Sequence, residues 1–145
     1  MRHILFASDF SKASRKAFDT AVTTAKRTHA GLSIVHVVKP FVPYPDQYLD
    51  QETWETIDKQ SHEWAQRHLD TLAAKATRAG VRANVVLADG APAQEIPRLA
   101  RRLHSDLLVM GTHGRTGLAK AFLGSVASQV IATATCPVMT VRGPR

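Results

Sequence analysis

The chain has 145 residues, a length that suits one domain with a single hydrophobic core. Apolar residues make up 44% and charged residues 21%, which is typical of a soluble globular protein and excludes a disordered or fibrous one. No apolar run approaches the roughly 18 residues of a membrane span. Asp9 comes too early for a signal peptide, and a single cysteine, Cys136, excludes an internal disulfide. We therefore expect one cytoplasmic domain over residues 1–145 with no membrane partner.

The formal net charge of +7 raises the question of a nucleic-acid ligand. The net charge is positive in residues 1–40 and 81–145 and negative in residues 41–80, and the basic side chains are dispersed within each region. No basic run or aromatic ribonucleoprotein motif accompanies them, which argues against a dedicated nucleic-acid module. A general preference for anions, phosphates included, is compatible with this distribution.

The first half of the chain alternates short β-like runs with longer helical ones. Residues 4–7 are predicted to form a strand, and a helix with one apolar face begins at Ser11. Residues 32–38 are β-branched and lack polar alternation, as in a strand that is buried on both faces. Three prolines make residues 39–49 a loop. A long helix follows and closes at Gly80.

The second half repeats this alternation and adds a loop rich in glycine. The sequence Asp89-Gly90-Ala91-Pro92 predicts a turn into a helix that has proline in its first turn. The remaining predicted elements are strands at 81–87, 107–110 and 137–141, a loop at 111–123 and a helix at 125–133.

The alternation of strand and helix predicts right-handed βαβ units, which build a parallel sheet with helices on both faces. We see no internal repeat, low-complexity tract or linker between domains. The predicted fold class is therefore α/β, a single doubly wound (Rossmann-like) domain.

The loop after the fourth predicted strand has features of a phosphate site. It runs from Gly111 through Gly114 and Arg115 to Gly124 and Ser125, where the next helix begins. Glycines let backbone N–H groups approach an anion, and a helix start offers unpaired N–H donors and a favourable dipole. The alternative is purely structural, in which Gly111 ends the strand, Gly114 and Gly117 form turns, and Ser125 is an N-cap. The sequence leaves these two readings evenly balanced.

Asp9 follows the first predicted strand and precedes a helix. In an open parallel sheet, ligands bind at the carboxyl ends of the strands, where successive connections go to opposite faces. If strands one and four are neighbours, Asp9 faces the glycine loop and can accept hydrogen bonds from a ribose hydroxyl or a base amine. The alternative is that Asp9 only caps the helix that begins near Ser11.

Gly111, Gly114, Gly124 and Ser125 have the spacing G-x₂-G-x₉-G-[S/T]. This spacing resembles the signature of the nucleotide-binding branch of the universal stress protein family. The resemblance extends over essentially the whole chain. It is carried further by the blocks at residues 4–11, 33–37, 90–96, 106–114 and 136–138.

The resemblance implies a five-stranded parallel sheet in the order 3-2-1-4-5 and a bound adenine nucleotide, ATP or in its place AMP, whose phosphates Mg²⁺ can bridge. It also implies a homodimer formed through the C-terminal strand. By residue, it implies phosphates on Gly114, Arg115, Gly124 and Ser125, the ribose near Gly111, the nucleoside at Asp9 and the adenine edge on the backbone of Val37.

The function that we expect is a stress-response module that binds ATP and acts by binding or regulation. The glycine loop holds no carboxylate that could orient a water molecule, so an enzymatic role extends at most to slow ATP hydrolysis. The seven histidines show no i,i+4 pair, and we therefore expect no metal site built by protein alone. The alternative function is a ligand-free dimeric interaction protein on the same scaffold.

Overall fold

The computed structural model describes residues 1–43, 45, 48–113 and 123–143, and strands alternate with helices along them. None of the helices within these ranges is long and apolar enough to cross a membrane. The strands are β1 (His3–Ala7), β2 (Gly31–Val38), β3 (Ala83–Asp89), β4 (Leu107–Gly111) and β5 (Val138–Val141), and the helices are α1 (Lys12–Thr28), α2 (Gln51–Arg78), α3 (Pro92–Arg102) and α4 (Ser125–Thr133).

The five strands form one parallel sheet in the order β3-β2-β1-β4-β5, which confirms the predicted fold class and strand order. β1 lies at its centre, with Ile4 opposite Leu32 of β2 on one side and opposite Leu107 of β4 on the other. A strand in this position has no polar face. Accordingly, Ile4, Leu5 and Phe6 are completely buried.

Successive residues of a strand point to opposite sides of the sheet, so a buried strand has apolar side chains on both faces. Helices cover both of these faces. Ile4 and Phe6 of β1 belong to the core that α1 and α2 complete. Leu5 and Ala7 belong to a second core, completed by α3 and α4. The chain thus leaves β1 toward one face and leaves β4 toward the other, so a crevice opens between the carboxyl ends of these two strands.

The start of α1 is fixed by hydrogen bonds that its sequence supplies. Ser11 is the N-cap, and its side chain accepts a hydrogen bond from the Ser14 N–H at 3.1 Å. At the other end of the helix, the N–H of Ala30 donates to the Ala25 carbonyl at 3.0 Å. The backbone of His29 adopts a left-handed conformation there, with φ 56°.

The prediction of a third strand at 81–87 is wrong by two residues at each end. Val81 lies instead just beyond the C-terminal end of α2 and closes it, because its N–H donates to the Ala76 carbonyl in the last turn of the helix at 3.0 Å. Gly80, at φ 87°, turns the chain for this contact, and the Val81 side chain is buried. Pairing with β2 begins at Ala83 and continues to Asp89.

Four other strand boundaries differ by one residue from those predicted, because β1 begins at His3 and β4 ends at Gly111, and β2 and β5 differ as well. β2 begins at Gly31, whose N–H donates to the Arg2 carbonyl beside β1 at 2.9 Å. β5 begins at Val138 and not at Pro137, which has no N–H for the ladder. The Pro137 carbonyl nevertheless accepts a hydrogen bond from the N–H of Leu108 at 2.9 Å.

Candidate functional site

A cavity of about 510 Å³ opens at the carboxyl ends of β1, β2 and β4, at the crevice between the two cores. Its walls come from the residues that follow these strands and from the first turns of α3 and α4. Two predicted site residues, Gly114 and Arg115, lie outside the described residues. The cavity brings together the other five, which are Asp9, Val37, Gly111, Gly124 and Ser125.

Asp9 organises the turn between β1 and α1. Its Oδ1 accepts a hydrogen bond from the N–H of Ser11 at 2.9 Å. Ser11, and not Asp9, caps the helix through its own side chain. The alternative in which Asp9 only caps α1 is therefore wrong, since Asp9 acts one step earlier in the chain and also lines the cavity.

The backbone N–H and carbonyl of Val37 point to the edge of β2 that faces β1 and the cavity. The Val35 carbonyl accepts from the Ser8 N–H at 2.8 Å, on the side of β1, whereas the Val38 carbonyl accepts from the Gly90 N–H at 3.0 Å, on the side of β3. Because alternate residues of a parallel strand direct their backbone groups to the same edge, Val37 points the same way as Val35. β1 has ended at Ala7 by this level, so the backbone groups of Val37 face the space beyond it.

Gly111 and Gly124 lie where the backbone is crowded. A Cβ on Gly111 would stand 3.2 Å from the Cβ of Ala13 in the first turn of α1. A Cβ on Gly124 would stand 3.0 Å from the carbonyl oxygen of Thr112. That same oxygen already accepts a hydrogen bond from the Gly124 N–H at 2.8 Å. Both glycines therefore have a packing role, whatever the cavity binds.

The first turn of α4 faces the cavity. Gly124 is the N-cap and Ser125 the first helical residue, so the prediction that Ser125 could serve as the N-cap is wrong. In the first hydrogen bond of the helix, the N–H of Ser128 donates to the carbonyl of Gly124. The N–H groups of Ser125, Val126 and Ala127 precede it and have no acceptor within the helix. All three residues line the cavity, and the N-cap, a glycine, has no side chain that could cap the helix.

Lys39, which is not among the predicted site residues, lines the cavity directly after the end of β2. The rule that singled out Asp9 would have found it, because Lys39 also lies just beyond the carboxyl end of a strand. Asp9 and Lys39 supply the formal charges among the described residues of the lining. Lys39 is exposed, so its ammonium group lies at the mouth of the cavity.

His113, for which the sequence leaves a phosphate contact and an exposed loop position equally open, follows β4 and lines the same cavity. Its Nδ1 shares a hydrogen bond of 2.8 Å with the hydroxyl of Thr112. Its Nε2 is buried and has no hydrogen-bond partner in the described part of the chain. A buried polar atom without a partner is costly, and a polar ligand group could satisfy it.

Solved structures of similar fold include two that hold an adenine nucleotide. A universal stress protein in complex with cAMP is 23% identical with a TM-score of 0.72, and 99% of this chain and 98% of that one are covered. The universal stress protein from Archaeoglobus fulgidus in complex with dAMP is 20% identical with a TM-score of 0.64, and the coverages are 97% and 98%. At these identities the likeness is one of fold.

Closer relatives cover nearly the whole chain. A universal stress protein of Methanocaldococcus jannaschii is 36% identical over 146 residues, which span 99% of this chain and 84% of the relative. A solved member of the family from Burkholderia pseudomallei is 30% identical with a TM-score of 0.75 over 95% of this chain and 94% of its own. The sequence profile of the universal stress protein family matches residues 1–142. The chain thus belongs to the universal stress protein family.

Proposed function

We propose that the protein binds an adenine nucleotide in the cavity beyond β1 and β4, and that it works as a binding or regulatory module in the stress response. The observation that carries the proposal is the first turn of α4. Three N–H donors, those of Ser125, Val126 and Ala127, lie on the cavity wall at the positive end of the helix dipole. Such a helix start binds phosphate through hydrogen bonds and charge together.

Two side chains and two relatives support the same ligand class. Lys39 adds a cation at the mouth, and the buried Nε2 of His113 lacks a partner within the described ranges. The solved relatives of similar fold hold cAMP and dAMP, both of which are adenine nucleotides. We propose ATP as the principal ligand and AMP as the alternative.

The charged side chains of the cavity determine the orientation that we propose for the nucleotide. A phosphate next to the Asp9 carboxylate would suffer like-charge repulsion, so the phosphates go to the α4 side and the nucleoside to Asp9. The adenine edge is then assigned to the backbone of Val37 and the ribose to the neighbourhood of Gly111. We assign the phosphates to Gly114, Arg115, Gly124 and Ser125. When Mg²⁺ accompanies the phosphates, the Ser125 hydroxyl is the protein oxygen that we assign to it.

The alternative function is a ligand-free interaction protein, and one observation favours it. Gly111 is crowded by Ala13, and Gly124 by the Thr112 carbonyl, so packing alone accounts for glycine at both positions. The N–H of Gly124 is also engaged within the chain. The glycine spacing is therefore weaker support for nucleotide binding than the first turn of α4.

We further propose a cytoplasmic homodimer formed through β5. This strand lies at one end of the sheet order and pairs with β4. Met139, in its middle, is 37% exposed. An apolar edge of this kind readily adds a strand from another chain, and a two-fold axis would pair the two β5 strands antiparallel.

Calorimetric titration with ATP, AMP and adenosine tests the nucleotide proposal. Ser125→Ala removes one hydroxyl from the cavity wall, and Ser128→Ala is the matched control, because Ser128 is an exposed serine on the same helix outside the lining. We expect Ser125→Ala to weaken ATP binding by about two- to tenfold, the value of one hydrogen bond, and to leave adenosine unchanged. Ser128→Ala should change neither.

Absence of binding would contradict the proposal. If the wild-type protein, freed of any co-purified ligand, binds none of ATP, AMP or adenosine with or without Mg²⁺, the interaction-protein alternative is favoured. If Ser125→Ala weakens adenosine as much as ATP, the phosphates do not lie at α4.

A further inference from the structure

Phe10 has an unusual backbone conformation for its residue type. Its φ is 63°, in the left-handed region that bulky side chains rarely adopt. The other residues of the described ranges, apart from glycine, with positive φ are His29 and His104. Both follow helix ends, where this conformation is common. Phe10 instead lies in the turn between β1 and α1, directly after Asp9, and something must hold it there.

Three rings from other elements surround the Phe10 side chain. The ring of His36, from β2, lies 4.5 Å from it between centroids. Trp64 of α2 meets it edge-on at 5.2 Å and 86°, and His68 of the same helix lies at 5.1 Å. Trp64 and His68 also contact each other at 4.0 Å. Such contacts add to the stability given by burial and favour particular ring orientations.

Hydrogen bonds join this ring cluster to the cavity wall. The Nδ1 of His36 donates to the Ser8 carbonyl at 2.8 Å, because a carbonyl only accepts. The N–H of Phe10 donates to Ser8 Oγ at 3.2 Å, and the N–H of Ser11 donates to Asp9 Oδ1 at 2.9 Å. The turn therefore has the ring of Phe10 on the α2 side of the sheet and Asp9 in the cavity lining.

We propose that Phe10 is a positioning residue for the candidate site, held by the rings of His36, Trp64 and His68 in the conformation that directs Asp9 into the cavity. The part of this inference that concerns ligand affinity rests on the proposed nucleotide function. The part that concerns the conformation of the turn does not. A consequence is that Trp64, which does not line the cavity, influences what the cavity binds.

The test uses four single substitutions. Phe10→Gly removes the ring while easing the left-handed backbone, and Phe10→Tyr keeps the ring. Trp64→Leu removes the edge-on partner from outside the cavity. Trp54→Leu is its matched control, because Trp54 is the other tryptophan of the chain, lies on the same helix and contacts Phe41 at 5.4 Å instead.

Two measurements are made on each variant. Amide hydrogen exchange of Ser11 reports, without any ligand, whether its N–H is still bonded to Asp9. Calorimetry reports the affinity for adenosine, the part of the ligand assigned to Asp9. We expect Phe10→Gly and Trp64→Leu to accelerate Ser11 exchange at least tenfold and to weaken adenosine about tenfold. Phe10→Tyr and Trp54→Leu should retain both properties.

The two proposals fail in different ways. Ser11 protection that survives in Phe10→Gly and Trp64→Leu overturns the positioning role, whether or not a nucleotide binds. If Phe10→Gly binds adenosine as the wild type does, only the backbone conformation matters and the ring cluster does not act on the site. If the wild type binds no adenine nucleotide at all, the proposed function fails, and Ser11 exchange still decides the role of Phe10.

Discussion

The Nε2 of His62 lies 2.6 Å from Asp89 Oδ1, and this contact joins α2 to the last residue of β3. The Nδ1 of the same ring donates to the Asp58 carbonyl at 2.8 Å. The backbone hydrogen bond to Asp58, followed by the hydrogen bond and charge of Asp89, raises the pKa of His62 above its ordinary value of 6.5, despite an opposing effect of burial.

A raised pKa means that the folded state holds the proton more tightly than the unfolded state. The stabilisation by His62 is therefore complete below pH 6.5 and is lost as the pH rises through the folded-state pKa. We predict that wild-type protein loses more stability than His62→Gln between pH 6 and pH 9. Urea unfolding of both proteins at several pH values measures this, and parallel curves would contradict it.

His3 should show the opposite pH dependence. Its Nε2 lies 2.9 Å from the Ser33 hydroxyl, which itself donates to Asn84 at 2.9 Å, so Nε2 carries the hydrogen. Burial lowers the pKa of His3, although the charge of Asp106 opposes this. The stabilisation is present above pH 6.5 and is lost as the pH falls through the lowered pKa. Between pH 7.5 and pH 5, wild type should therefore lose more stability than His3→Gln, and an equal loss would rule this out.

Gly111→Ala should destabilise the fold by about 1–3 kcal/mol, the cost of overpacking a well-packed site. The new Cβ would stand 3.2 Å from Ala13 and from the backbone nitrogen of Ser14, neither of which is a flexible side-chain end. Gly31→Ala is the control, because its Cβ would meet the His3 ring at an ordinary 3.8 Å. Urea unfolding at neutral pH compares the two. Equal stabilities would mean that the start of α1 shifts without cost.

Lys39→Gln should weaken ATP by about two- to fivefold at low salt, as expected for an exposed charge, and should leave adenosine unchanged. The effect should fade at 0.5 M salt, because added ions screen an exposed ammonium group. Lys16→Gln, an exposed lysine on α1 outside the cavity lining, is the control. Titrations at two salt concentrations distinguish a charge effect from a structural one, since a salt-independent loss would point to altered structure.

Met139→Lys should convert the proposed homodimer to monomer. A lysine in the middle of β5 places charge on the edge where a second strand would pair. Val42→Lys replaces an apolar residue that is 80% exposed and lies elsewhere, in the loop after β2, so it should leave the dimer intact. Light scattering at tens of micromolar protein measures the molar mass of the wild type and of both variants. A wild type that is already monomeric there would exclude the β5 dimer.

The α/β fold class could be predicted because the apolar periodicity of each element matched its place in the structure, whereas the strand order followed from the resemblance to a known family. The third strand was misplaced because an apolar Val81 looks the same in a strand as in the cap of a helix, where Gly80 and Ala76 place it. Strand ends located Asp9 correctly in the cavity lining, and Lys39 could have been found in the same way.

The surroundings of Phe10 could not be predicted. Its neighbours come from β2 and from the middle of α2, and only tertiary packing brings His36 and Trp64 to the same ring. The packing role of Gly124 likewise depends on its contact with the Thr112 carbonyl, which no local pattern encodes.

The pairing of β1 with β4 has a consequence for biosynthesis. Ile4–Ala7 are synthesised before Leu107 and its neighbours, so the central strand must wait for these residues before it is complete. At about 5–20 residues per second, this wait lasts on the order of 5–20 s. Until then the apolar strand has β2 on one side but lacks its second partner, and this open edge is exposed to aggregation or to chaperones. The cavity also needs residues that follow β4, so a ligand can stabilise the finished protein but cannot guide the earlier pairing of β1 with β2.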